Sequence, residues 1–157
     1  MTENEGSVVD EETFSVRRTI RIAAPIDKVW QAVTEPEHIS RWFGHTVLEG
    51  TGVGATGMMT FPNDGSVPLR VEAREEMRLI SYRWGNGDAA SERPEIVDEA
   101  TSTVFTFTLD ELADGTQLTV VETGFDRTSD PAANLESHRT GWEIELDKLV
   151  ALLEGDA

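Results

Sequence analysis

The sequence contains no cysteine, only two lysines, and no apolar run near the length that a membrane span requires. Without cysteine there is no disulfide framework, no thiolate nucleophile and no metal–thiolate centre, which excludes a stapled secreted scaffold. Without roughly 20 consecutive apolar residues there is no membrane-spanning helix. The first residues, MTENEGSVVDEE, carry neither a basic stretch nor an apolar one, so no signal peptide is expected. Basic residues are scarce: 13 Lys and Arg face 30 Asp and Glu, for a formal net charge of −17. A surface of that sign repels phosphate backbones and argues against nucleic acid. These absences together predict a cytoplasmic protein with neither a membrane nor a nucleic-acid partner. Lys28 and Lys148 are the two lysines; the other basic residues are arginines. Acid excess with almost no lysine suits concentrated salt, where charge repulsion is screened within about 3 Å at 1 M. High-GC coding bias favours arginine over lysine equally well, and composition leaves both readings open.

What is present is the pattern of one domain. The chain has 157 residues, 38% hydrophobic and 27% charged, with four tryptophans, enough to bury a core unaided. Residues 1–12 carry five acids and no base and are expected to be a disordered acidic tail, with a single domain over residues 13–157. Phe14, Val16, Arg18, Ile20 and Ile22 then alternate as a strand. After Pro25, residues Ile26, Val29, Trp30 and Val33 repeat at helical spacing, and Pro36 opens a second short helix expected to run to Phe43. From Val47 onward the language is β. Strands are expected near Val47–Leu48, Gly57–Phe61, Val67–Met77, Arg78–Trp84, Thr101–Glu111 and Thr116–Phe125. Turns are expected at Asn63-Asp64-Gly65 and Ala113-Asp114-Gly115, and a long acidic loop over Gly85–Ala100. Asp130-Pro131 caps a terminal helix that ends near Glu154. Its inner stripe is Leu135, His138, Trp142, Leu146, Leu149 and Leu153, opposite Glu143, Asp147 and Glu154. Gly141 interrupts this helix and is expected to permit close packing on a strand. Strands bracketed by helices give an α+β fold. A sheet curved around the terminal helix leaves a cavity between them, where a function would reside.

The motifs are mostly negative. Gly52, Gly54 and Gly57 spell a dinucleotide fingerprint, but a strand follows where a helix N-terminus is needed, so nucleotide binding is not expected. His38, His45 and His138 show no metal-ligand spacing, and no metal or cofactor is expected. No nucleophile elbow is present. Glu122 stands out because parity places it with Leu118 and Val120. If that face lines the cavity, desolvation raises its pKa and makes it a candidate general acid or base. Two alternatives are that Val121 and Phe125 face inward instead, or that Glu122 is buried against an arginine. Trp42, Phe61, Tyr82, Trp84, Phe105, Phe107 and Trp142 form either the wall of a pocket for a flat apolar ligand or the core of the domain.

Several segments resemble a known family: RTIRIAAPIDKVWQAVTEPEHISRWFG from Arg18 to Gly44, STVFTFTL from Ser102 to Leu109, GTQLTVVETGF from Gly115 to Phe125, and HRTGWEIELDKLVALLEG from His138 to Gly155. They are similar to START-like (SRPBCC, helix-grip) domains. More narrowly they resemble the group named for the activator of heat-shock protein 90 ATPase (AHSA-type), in its C-terminal-domain form. The resemblance implies about six or seven antiparallel strands gripping a long C-terminal helix, with a hydrophobic tunnel between. It implies binding of a small apolar molecule, with Trp42, Phe61, Tyr82, Trp84, Phe105, Phe107, Glu122, His138 and Trp142 as candidate ligand-binding residues. Arg83 is a further polar candidate along such a tunnel. Alternatives are a cyclase or dehydratase-like enzyme using Glu122, and a module that contacts a chaperone ATPase or another protein partner.

Overall fold

The computed structural model describes residues 4–62, 65–85 and 97–155. Asn63 and Asp64 of the expected turn and residues 86–96 of the expected loop lie outside that range. Eight strands form one antiparallel sheet: β1 (Val8–Asp10), β2 (Ser15–Ile22), β3 (His45–Glu49), β4 (Thr56–Phe61), β5 (Gly65–Glu75), β6 (Leu79–Trp84), β7 (Thr103–Leu112) and β8 (Gly115–Thr123). Their order across the sheet is β1-β2-β8-β7-β6-β5-β4-β3. Two helices, α1 (Ile26–Thr34) and α2 (Pro36–Ile39), separate β2 from β3, and α3 (Pro131–Glu154) closes the chain.

Period-two alternation fixes which face each strand buries. In β2 the residues Val16, Arg18, Ile20 and Ile22 face inward, and in β8 the residues Thr116, Leu118, Val120 and Glu122 do. These two strands pair along their length, with Val16 opposite Glu122 and Arg18 opposite Val120. A bulge between Val71 and Ala73 breaks the β5–β6 register, which bends and twists the sheet locally. Near the other edge, a side chain at Gly57 would collide with the Val47 carbonyl of β3. Glycine therefore serves strand approach here, and the Gly52/Gly54/Gly57 motif runs into β4 rather than into a helix.

Helix α3 begins where expected, with the Asp130 carboxylate accepting from Ala133 N at 3.2 Å. It lies along β2 and β1 and buries Leu135, Trp142, Leu146, Leu149 and Val150. Because it covers one side of the curved sheet, space remains between it and the inward faces of β4 and β6.

Two expectations need correction. The chain is not free of structure up to Glu12: Val8–Asp10 pairs with Ser15–Arg17 as β1, which raises the strand count to eight. Helix α2 ends at Ile39 rather than Phe43. There Ser40 Oγ donates to the Pro36 carbonyl at 2.7 Å and accepts from Thr46 N at 2.9 Å, turning the chain toward β3. The acidic side of α3 has a structural task. Glu143 accepts from Ser7 N at 3.0 Å, and Asp147 accepts from Arg18 at 2.7 Å, so this side anchors the N-terminal segment.

Candidate functional site

Glu122 closes the inward row of β8 and has no solvent exposure. An ionised carboxylate in such a place needs several donors. Four converge on it. Thr103 Oγ1 donates to Oε2 at 2.5 Å and Trp84 Nε1 donates to the same oxygen at 2.9 Å. Trp142 Nε1 donates to Oε1 at 2.8 Å, and His138 Nδ1 lies 2.8 Å from that oxygen. Register explains the convergence: Trp84 lies opposite Thr103 across β6–β7, and Phe105 lies opposite Glu122 across β7–β8. The helix supplies the other two donors, because His138 and Trp142 are four residues apart and share a face.

The electrostatics reverse the expectation for Glu122. Burial pushes its pKa up, but the neighbouring His138 charge and hydrogen bonds from His138, Thr103 and Trp84 pull it below the ordinary glutamate value. For His138, burial pushes the pKa down, and the charge and hydrogen bond of Glu122 raise it above the ordinary histidine value. The pair therefore favours imidazolium and carboxylate. Glu122 is accordingly a fixed anion rather than a carboxylic acid held neutral by an apolar wall. Parity puts it inward with Leu118 and Val120, and its cationic partner is a histidine, not an arginine.

Beside this network lies a cavity of about 240 Å³, open to solvent, between α3 and the β4–β6 part of the sheet. Phe43, Phe61, Trp84 and Trp142 form its aromatic walls. Phe43 is the hub: its ring centre lies 5.6 Å from Phe61, 5.6 Å from Trp84 and 5.4 Å from Trp142. Ser137, His138, Gly141 and Glu145 supply the helical side. Lys148 Nζ approaches a buried oxygen of Glu145 to 2.8 Å, off the direction of a hydrogen bond. Gly141 does not pack on a strand, contrary to expectation. A methyl group built there meets nothing within 4 Å, so the missing side chain keeps the cavity wide.

Four of the candidate residues line this cavity: Phe61, Trp84, His138 and Trp142. Glu122 lies behind them. The remaining four are core. Trp42 donates its indole N–H to the Ala32 carbonyl at 2.8 Å, tying α1 to the segment after α2, and Tyr82 donates its hydroxyl to the Val33 carbonyl at 2.6 Å, tying α1 to the sheet. Burial raises the Tyr82 pKa further, so the phenol stays neutral. Phe105 and Phe107 pack in the interior. Arg83 is not in the cavity either; it pairs with Glu72 and donates to Ser102 Oγ at 3.1 Å. Sequence reasoning missed Phe43 and Thr103. Thr103 shares parity with Phe105 and Phe107, a signal that was available. No grouping of three or more histidine or acidic side chains able to hold a metal occurs among the described residues.

Two other concavities are larger but less suited to chemistry. One, of about 370 Å³, lies between α1, α2 and the end of α3, with exposed Lys28 and Arg41 at its rim. The other, of about 310 Å³, lies beside β4 and β5 near Arg70. Neither has a buried polar network behind it like that of Glu122. Among the described residues, no helix is long and apolar enough to cross a membrane.

Solved structures share this architecture. MLL2253 from Mesorhizobium loti is 25% identical with a TM-score of 0.75, covering 91% of this chain and 98% of that one. DynU16, from the dynemicin biosynthetic locus, is 26% identical with a TM-score of 0.70; the match covers 90% of this chain and 48% of that one. The Aha1 dimer from Colwellia psychrerythraea is 23% identical with a TM-score of 0.66, covering 91% and 98%. No curated protein gives a significant match. The family model described as "Activator of Hsp90 ATPase homolog 1-like protein" matches residues 23–154, from the end of β2 through the last residue of α3, and the chain belongs to that family.

Proposed function

We propose that the protein binds a small, flat, apolar molecule in the cavity between α3 and the β4–β6 part of the sheet. The observation that carries this reading is an open, aromatic-walled space backed by a fully satisfied buried carboxylate. Burying such a network costs desolvation that a purely apolar core avoids. Here the network holds two cavity-lining indoles and one imidazole in fixed orientations, as preorganised binding requires. Size restricts the ligand. An engineered apolar cavity of about 150 Å³ admits benzene, so about 240 Å³ suits one or two fused rings, not a sterol or a long acyl chain.

In this reading Glu122 is a positioning residue. Its low pKa and four donors leave it no proton to give and no free lone pair aimed at a ligand. Protein docking explains the site less well. The aromatic groups converge inward, whereas the outer face of β5 and β6 carries the ion-paired Arg70, Glu72 and Arg83.

The test is direct binding of naphthalene-sized arenes, measured beside a long-chain fatty acid. Saturable binding of the arenes but not of the fatty acid is expected. Gly141→Leu fills the space from the helical wall and should abolish it. Equal binding by the Gly141→Leu variant would contradict the proposed location.

A further inference from the structure

The cavity reading leaves one polar atom without an occupant. His138 Nδ1 is committed to Glu122 at 2.8 Å, and the imidazole lines the cavity. The hydrogen bonds and ion pairs of the described residues include none at His138 Nε2. Nor is it a sealed atom, since among the described residues the buried side-chain atoms without a hydrogen bond are Ser7 Oγ and Glu145 Oε1. The side chain keeps 15% of its surface, and Nε2 lies on the ring edge away from Nδ1. Glu122 itself is out of reach, with both oxygens occupied.

We propose that the cavity takes acidic hydroxyarenes and binds them as phenolates, with the ligand oxygen accepting a hydrogen bond from His138 Nε2–H. This rests on the cavity being a binding site, and it goes further by naming the group that the ligand carries. The reasoning is one of matched chemistry. The buried carboxylate at Nδ1 favours the doubly protonated ring, whose Nε2 presents a donor rather than a lone pair. A charged donor in a low-dielectric wall favours an anionic oxygen, and such bonds are stronger than neutral ones. The aromatic walls around it select a ring.

Among the described residues the cavity wall holds one further carboxylate, Glu145. From β8 the facing group is Glu122. On the adjoining turn, Arg127 donates to the Ser102 carbonyl at 3.4 Å. On α3, Glu145 lies seven residues further along, roughly 10 Å by helix rise, with Lys148 against it. Arg139 is turned away, paired with Glu136 and Glu143. No covalent bond forms. At pH values below both the free phenol's pKa and the raised pKa of His138, each molecule bound loses its hydroxyl proton to solvent while His138 keeps its own.

The experiment uses para-nitrophenol, whose phenolate is yellow and whose ionisation falls near neutrality, with nitrobenzene as the shape control. In the unmodified protein, bound nitrophenol should show the phenolate spectrum at pH values below its free midpoint. It should bind ~10-fold more tightly than nitrobenzene, the scale of one charge-assisted hydrogen bond, and release protons in weak buffer. His138→Phe should remove that preference, so that nitrophenol binds no more tightly than nitrobenzene. His138→Gln, which can still donate to Glu122, provides a second variant should the first fail to fold. Bound nitrophenol remaining in its neutral form, or nitrobenzene binding as tightly, would overturn the inference and leave the cavity reading standing. Binding of neither compound to the unmodified protein would overturn both.

Discussion

Two buried charges lie side by side under α3, and they are treated differently. Arg18 on β2 and Glu122 on β8 are both inward-facing, two residues out of register on paired strands. Arg18 spends its guanidinium on structure. It donates to the Glu5 carbonyl at 2.9 Å, to the Trp142 and Glu143 carbonyls at 3.3 and 2.9 Å, and to Asp147 at 2.7 Å. Every one of these contacts lies on the N-terminal segment or on α3, and none on a cavity wall apart from the Trp142 backbone. Glu122 instead gathers three side chains that face the cavity, Trp84, His138 and Trp142. A buried charge that holds backbone fastens elements together. One that holds side chains around an opening shapes a site.

That contrast can be broken by substitution. Glu122→Ala should have the largest effect, because it leaves two indole N–H groups and an imidazole without their acceptor. A loss of about 3–5 kcal/mol is expected in urea unfolding, together with loss of arene binding. Arg18→Met keeps the apolar stem and leaves Asp147, two-thirds exposed, free to be solvated. Its expected cost is smaller, about 1–3 kcal/mol, with arene affinity retained. If Arg18→Met abolished binding while Glu122→Ala preserved it, the division between fastening and shaping charges would be wrong.

The pH dependence sharpens the same contrast. The folded pKa of Glu122 is below its ordinary value of 4.5, so its stabilisation is present above that pH and fades as the pH falls through the lowered value. The folded pKa of His138 is above 6.5, so its contribution is complete below pH 6.5 and fades as the pH rises through the raised value. The pair therefore stabilises most between about pH 4.5 and 6.5. Unfolding free energy followed across pH should fall on the alkaline side of this window in the unmodified protein. That fall should be missing in His138→Gln, and an identical alkaline slope in both would remove the ion pair from the account.

The smallest effect concerns Gly141. In a helix interior glycine costs about 1 kcal/mol relative to alanine, and no neighbour opposes an added methyl group. Gly141→Ala should raise stability by about 0.5–1 kcal/mol while weakening arene binding. Gain of stability with unchanged binding would mean that the glycine does not serve the cavity.

Most of the fold was legible because it rests on local signals. Alternation in β2, β5, β7 and β8, the Asp130-Pro131 cap and the Leu146/Leu149 stripe each declare their element within a few residues. β1 was not legible, since three residues cannot display a period and its pairing depends on a turn at residues 11–14. The site was legible residue by residue but not as a set. Parity turned Glu122 inward and helical spacing joined His138 to Trp142. Their meeting depends on the rotation of α3 over the sheet and on the registers that bring Trp84 and Thr103 to the same carboxylate. Phe43 was hidden by the early end of α2, which frees it to swing into the cavity while Trp42 turns to α1. Glycine within a helix often permits close approach, so the sequence points to packing at Gly141; here it leaves space instead.

The four tryptophans offer the most direct test of the central claim. Trp84 and Trp142 line the cavity and donate to Glu122, whereas Trp42 is bound to Ala32, and Trp30 donates to Glu76 at 3.0 Å. Indole N–H resonances followed by NMR during titration with a naphthalene-sized arene report all four at once. Saturable shifts confined to the Trp84 and Trp142 signals are the expected result. Movement of the Trp30 and Trp42 signals with Trp84 and Trp142 unmoved, or no movement up to the ligand's solubility, would contradict it.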